Sequence, residues 1–172
     1  MYEPGEVIVY GSTGVCRVEA VGPRTLMRGV TKTCYTLRPL YGSDTIYVPA
    51  DTTVFMRRPI TRAQADELID RIPETPDAPL PTDPTGARST YESALQSHDC
   101  ADLLALTRRI YRKTQQVRSH NRQPNQTDQR YLKRAEDLLY GELAVALGVE
   151  RDQVVGYIAR RLDQAEPDRA QT

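Results

Sequence analysis

Cys16, His98, Asp99 and His120 carry the most versatile chemistry in this chain. A covalent catalyst needs a nucleophile, a base within hydrogen-bond reach and a group that orients the base. One Cys, two His and an Asp supply those types. Their setting does not support the arrangement. There is no nucleophile elbow, no phosphate loop and no Cys/His metal spacing, and both histidines fall beside helix caps or loops. Cys16, Cys34 and Cys100 form an odd set without a CxxC and read as reduced, buried packing residues. No catalytic residue, metal or cofactor is expected, and no small-molecule substrate.

The stronger chemistry is electrostatic. Net charge is zero, yet residues 99–134 hold nine Lys and Arg against three Asp, while the stretches on either side are acidic. The block comprises Arg108, Arg109, Arg112, Lys113, Arg118, Arg122, Arg130, Lys133 and Arg134. Such a block is either a solvated helix face or a surface for a polyanion. A helix turn that brings Arg118 and Arg122 near Arg130 and Arg134 would contact several phosphates, and binding would then be salt-dependent and largely blind to sequence.

Those cations need a scaffold, and the chain supplies two kinds. Residues 1–60 are rich in Val, Ile, Thr and Tyr, with turn signals at Gly11 to Gly14, Gly22-Pro23, Arg28-Gly29 and Tyr41 to Asp44. They predict five strands: Glu6 to Tyr10, Val15 to Gly22, Thr25 to Arg28, Thr33 to Leu40, and Asp44 to Pro49. Five short antiparallel strands close most simply into an SH3/Tudor-like β-barrel. Gly11 to Gly14 reads as a hairpin turn that lets the barrel close.

From Thr61 the pattern turns helical. Thr61 and Gln64 form a capping box for a connecting helix over 61–73, with Ala65, Leu68, Ile69 and Ile72 as its apolar stripe. Residues 74–90 are Pro-rich and predict an extended linker. Residues 91–165 predict an all-α bundle: Tyr91 to Gln96, Asp99 to about His120 with Leu103, Leu104, Leu106, Ile110, Tyr111 and Val117 inward, a helix from Thr127 stopped by Gly148, and a last helix from about Arg151 to Leu162. Residues 166–172 read as a flexible tail. The fold class is α+β in two domains. No apolar run spans a bilayer and no cleavable leader is evident, so a cytoplasmic protein without membrane contact is expected, most simply a monomer. Leu143 to Leu162 also reads as a helix-turn-helix with Asp152, Gln153, Tyr157 and Arg160 toward a groove. The surrounding Glu142, Glu150, Asp152 and Asp163 favour an ordinary helical hairpin.

Tyr2 to Tyr10, Gly14-Val15, Val18 to Ala20, Tyr35 to Leu37, Val48 to Asp51 and Arg58 to Ile60 resemble the start of the CarD/CdnL family, whose N-terminal module is similar to that of transcription-repair coupling factors. Ser97-His98-Asp99 stands where the family has Ser-Gly-Asp, and Leu138 to Ala144 resembles a family helix. The resemblance implies a non-enzymatic bacterial transcription regulator. Its barrel would dock on the β subunit of RNA polymerase, and its helical domain would lie on promoter DNA and stabilise the open complex, at the nucleoid. It assigns Arg24, Thr25, Leu26 and the strand carrying Tyr47 to the polymerase face, where some relatives have an Arg in place of Tyr47. The family's minor-groove Trp has no counterpart; Arg88 stands in the equivalent stretch and could enter a narrow minor groove. Arg24 to Arg28 reads as an exposed edge strand, where a partner strand would pair while Leu26 and Met27 fill small pockets. Two alternatives stand beside this. In one the helical half contacts another protein. In the other the chain is an independent helix-turn-helix protein that dimerises through its barrel.

Overall fold

The computed structural model describes residues 1–75 and 80–170. They fall into two compact units, Met1–Pro59 and Ile60–Thr172.

The first unit is one antiparallel sheet of β1 (Val7–Tyr10), β2 (Gly14–Thr25), β3 (Thr31–Pro39), β4 (Ile46–Pro49) and β5 (Met56–Arg57). Spatial order is β4-β3-β2-β1-β5. Ile8, Cys16, Val18, Tyr35, Leu37 and Val48 make its core, and Tyr2 packs a tilted ring on Tyr35. Side chains alternate faces along a strand, and an irregularity between Val18 and Ala20 shifts that alternation, leaving Glu19 and Ala20 both exposed. Gly11 and Gly14 take positive φ in the β1–β2 turn, as expected of that segment. A Cβ on Gly11 would stand 2.9 Å from Val54 Cγ1.

Two expectations are corrected here. The sheet is open rather than a closed barrel. Its end strands, β4 with four residues and β5 with two, do not pair with each other. The expected third strand from Thr25 to Arg28 does not exist as such. β2 runs straight through Gly22 and Pro23 to Thr25 and pairs with β3 down to Thr25 opposite Thr31. The Leu26 amide donates to the Val30 carbonyl at 2.7 Å, and Met27–Gly29 form a 3-10 turn with Arg28 and Gly29 at φ 66° and 74°. A proline is tolerated on a sheet edge, where its missing N–H breaks no ladder. β1 and the two residues before it bond β2 no further than Val18, so Pro23 meets that condition.

The second unit is helical: α1 (Arg62–Asp70), α2 (Pro84–Gln96), α3 (Cys100–Ser119), α4 (Gln126–Leu147) and α5 (Val154–Ala170). Thr61 and Gln64 form the full capping box of α1, Asp99 caps α3 and Asn125 caps α4. α3 and α4 make an antiparallel hairpin. Leu103, Leu106 and Ile110 of α3 share a core with Leu132, Ala135, Leu139 and Leu143 of α4. Gly148 ends α4 at φ 67°, with the Val149 amide donating to the Ala144 carbonyl at 3.1 Å. An added Cβ there meets open space, so Gly148→Ala is expected to cost only the left-handed backbone strain, about 1 kcal/mol, read as a lowered thermal midpoint.

The linker and tail also need correction. α2 begins at Pro84, inside the stretch expected to be extended. Asp83 caps it by accepting from the Gly86 amide at 2.7 Å, and Ala87 and Tyr91 are buried. Proline suits the first turn of a helix because its missing donor has no partner there anyway. Of the expected linker, residues 76–79 lie outside the described residues. α1 is no mere connector: Ala65 and Ile69 are core residues of the helical unit. Tyr157 of α5 donates to Asp66 at 2.6 Å, and Arg161 forks onto Asp70 at 2.8 and 2.9 Å. α5 carries the backbone through Ala170, and of the expected tail only residues 171–172 lie outside the described residues. Tyr111, read as inward, is 57% exposed.

Candidate polymerase and nucleic-acid interfaces

β2 and β3 continue as a two-stranded arm after their neighbours stop. β4 with Ala50 after it bonds β3 only as far as Thr33, and β1 with Gly5 and Glu6 before it bonds β2 only as far as Val18, whereas β2–β3 pairing extends to Thr25 and Thr31. Four of the five residues assigned to a polymerase face lie at the end of this arm. Arg24 and Thr25 close the ladder, with Thr25 Oγ1 3.2 Å from Thr31 Oγ1, while Leu26 and Met27 enter the turn. Leu26 is half-buried and Met27 is 90% exposed. The fifth, Tyr47 on β4, is joined to them through space: the Arg24 guanidinium carbon lies 3.3 Å from the centre of its ring. An exposed cation over an aromatic face is worth about 0.5–1 kcal/mol, which favours this pairing of the two side chains. Sequence reading missed Val30, half exposed at the same tip; its only signal was an apolar residue straight after Gly29.

The basic residues of the helical unit separate into different environments. Lys113 turns inward: its ammonium is 2.8 Å from the buried Asp128 carboxylate, which also accepts from the Tyr91 hydroxyl at 2.9 Å. Burial, then that hydrogen bond, raise the Tyr91 pKa, and the charge of Arg109 opposes the shift. Arg109 therefore also lies toward the α2 side. It lines a groove of about 460 Å³ between α2 and α3 with Ser89, Ser93, Ser97 and Asp102. Arg88 of α2 and Arg134 of α4 both act on Tyr131. Both oppose the raised pKa that burial and a 2.9 Å bond to Glu92 give Tyr131. Arg108 and Arg112 sit on the side of α3 opposite Leu103, Leu106 and Ile110; Arg118 ends that helix, and Arg122 follows in the loop. Arg130 and Lys133 stand on the outer side of α4, Lys133 within 3.6 Å of Asp137. Lys113 is drawn toward Asp128 and Arg109 toward α2, yet both stay half-exposed, as Arg108 does; the other basic residues are exposed.

The helix-turn-helix alternative loses one reading residue, because Tyr157 is committed to Asp66 of α1. His98 and His120 flank the 20-residue α3, about 30 Å apart at 1.5 Å per residue. Cys16 is buried, and burial pushes its thiol up to about 11. Among the described residues no group of His, Cys, Asp and Glu is placed to hold a metal, and no helix is long and apolar enough to cross a membrane.

A small open sheet with a projecting two-stranded arm, followed by a capped helical bundle, defines a docking module joined to a second, charged unit. Residues 2–60 match the family model of the CarD-like/TRCF RID domain. The first unit is therefore a CarD-like RNA-polymerase-interacting domain, and RNA polymerase is the partner that this domain implies. The match covers about a third of the chain and ends where the helical unit begins.

Proposed function

We propose that this protein is a non-enzymatic transcription regulator that tethers to the β subunit of RNA polymerase through the β2–β3 arm and touches promoter DNA with its helical unit. The match of residues 2–60 carries the first half of this reading. The outer edge of β2 beyond Val18, which pairs with no strand, gives it a mechanism: a partner strand can pair there, while Arg24 and Tyr47 present a cation and ring on the face of the sheet. The second half is supported by the exposed cations Arg88, Arg118, Arg130 and Arg134, each able to neutralise a phosphate. Tethering raises the local concentration of these cations at the promoter, so weak contacts suffice. The complex shifts toward the open form only if the helical unit binds that form better than the closed one. The protein acts as a cytoplasmic monomer.

The test is the lifetime of promoter open complexes with and without the protein. With Arg118, Arg130 and Arg134 all changed to Glu, DNA affinity is expected to fall on the order of ten- to hundredfold, and the lifetime to return to that of polymerase alone while capture by the β subunit is unchanged. An unaltered lifetime would remove the DNA-clamp reading and favour a helical unit that contacts another protein.

A further inference from the structure

Tyr111 and Val155 are the two large apolar side chains most exposed among the described residues of the helical unit, and Tyr111 sits in the middle of the most basic segment. Residues three before, four after and seven after share its face of a helix. On α3 these are Arg108, Gln115 and Arg118, so the ring stands in a stripe that reads Arg, Tyr, Gln, Arg. Residues 103–127 hold six Lys and Arg and no carboxylate. The next acid along the chain, Asp128, is buried and paired with Lys113. An anionic ligand lying along this face meets Arg108 and Arg118, and this stretch of chain carries no acid of its own.

We propose that this face of α3 is a stacking site for unpaired bases, with Tyr111 as the platform and Arg118 holding the adjoining phosphate. The proposal rests on the DNA reading above and sharpens it: the ligand is single-stranded or melted nucleic acid in preference to duplex. Every base offers a flat π-face once it leaves the helix, and stacking on an aromatic side chain is indifferent to sequence. In a duplex those faces are covered by neighbouring bases, so the same ring gains little. Arg118 lies about 10 Å further along the axis, and Gln115 between them supplies an amide. A protein partner fits this face less well. Interface cores are depleted in charge and cluster aromatic anchors, whereas Tyr111 is a single ring among polar and cationic neighbours.

The test is fluorescence anisotropy of the full-length protein with a labelled oligothymidylate strand and, separately, a labelled duplex of matched length. Tyr111→Ala is expected to weaken single-strand binding roughly 5- to 100-fold while duplex affinity stays within about twofold. Tyr111→Phe keeps the platform and retains the preference; Arg118→Ala weakens both ligands and lowers the salt dependence. Circular dichroism checks that each variant is folded, which the exposure of both side chains favours. Equal losses on the two ligands, or no loss on the single strand, overturns the stacking site. If duplex binding is intact and Tyr111→Ala is neutral, this inference alone falls. If the wild-type protein binds neither ligand, the DNA reading falls with it.

Discussion

Arg24→Glu is expected to weaken capture of the protein by the isolated polymerase β subunit by about 2–4 kcal/mol, the range of a hot-spot residue. Arg24 lies where the β2–β3 ladder ends, and its side chain reaches over β3 to put its charge 3.3 Å from the centre of the Tyr47 ring on β4. If the arm is the docking surface, reversal replaces a cation there with an anion. Tyr47→Ala separates two mechanisms. If the partner reads only the guanidinium charge, losing the ring costs little. If the ring pre-orders the cation, Tyr47→Ala costs about 1 kcal/mol of the same affinity. Both side chains are exposed, so neither change threatens the sheet. Wild-type capture by Arg24→Glu, measured by titration against the immobilised β subunit, would move the docking surface away from the arm.

Asp128→Ala is expected to destabilise the helical unit by about 2–4 kcal/mol in urea unfolding, although Asp128 is one of only three acids in the basic segment. Its carboxylate is 7% exposed and joins three helices, accepting from Tyr91 of α2 and pairing with Lys113 of α3 while itself on α4. Truncation strands the Tyr91 hydroxyl, whose ring is 1% exposed and stacks at a tilt on Tyr131, 5.1 Å between centres. Tyr91→Phe removes the donor but leaves the ion pair, so about 1 kcal/mol is expected. The contrast isolates the stranded group from the lost bond. A loss below about 0.5 kcal/mol for Asp128→Ala would mean that the site behaves as ordinary surface.

Much of the fold was legible where local chemistry decides it. The capping box at Thr61, the Asp99 cap and the Gly148 stop stand where the sequence puts them, because each is a contact between residues a few positions apart. The errors came where a distant partner decides. Gly22 and Pro23 look like a turn locally, but an uncovered sheet edge accepts both. The Pro-rich stretch looked extended, although Asp83-Pro84 is a good helix start once Ala87 and Tyr91 have a core to enter. Tyr111 fits a helical apolar spacing next to Ile110, yet only Ile110 points inward. For the candidate interfaces, composition correctly marked a cationic region but could not see Asp128 draw Lys113 inward. Nor could it see Arg24 reach across the sheet to Tyr47.

The clasp of α1 by α5 also sets an order of events during synthesis. Asp70 and Arg161 are 91 residues apart, so α1 leaves the ribosome long before the helix that holds it. The N-terminal sheet has all of its strands once Arg57 has emerged and can fold at once, as domains generally do while the chain grows. Ala65 and Ile69 of α1 gain their core neighbours as the later helices emerge, and the α5 clasp comes last. The N-terminal docking domain is thus complete on the nascent chain while the helical unit still waits for its later helices.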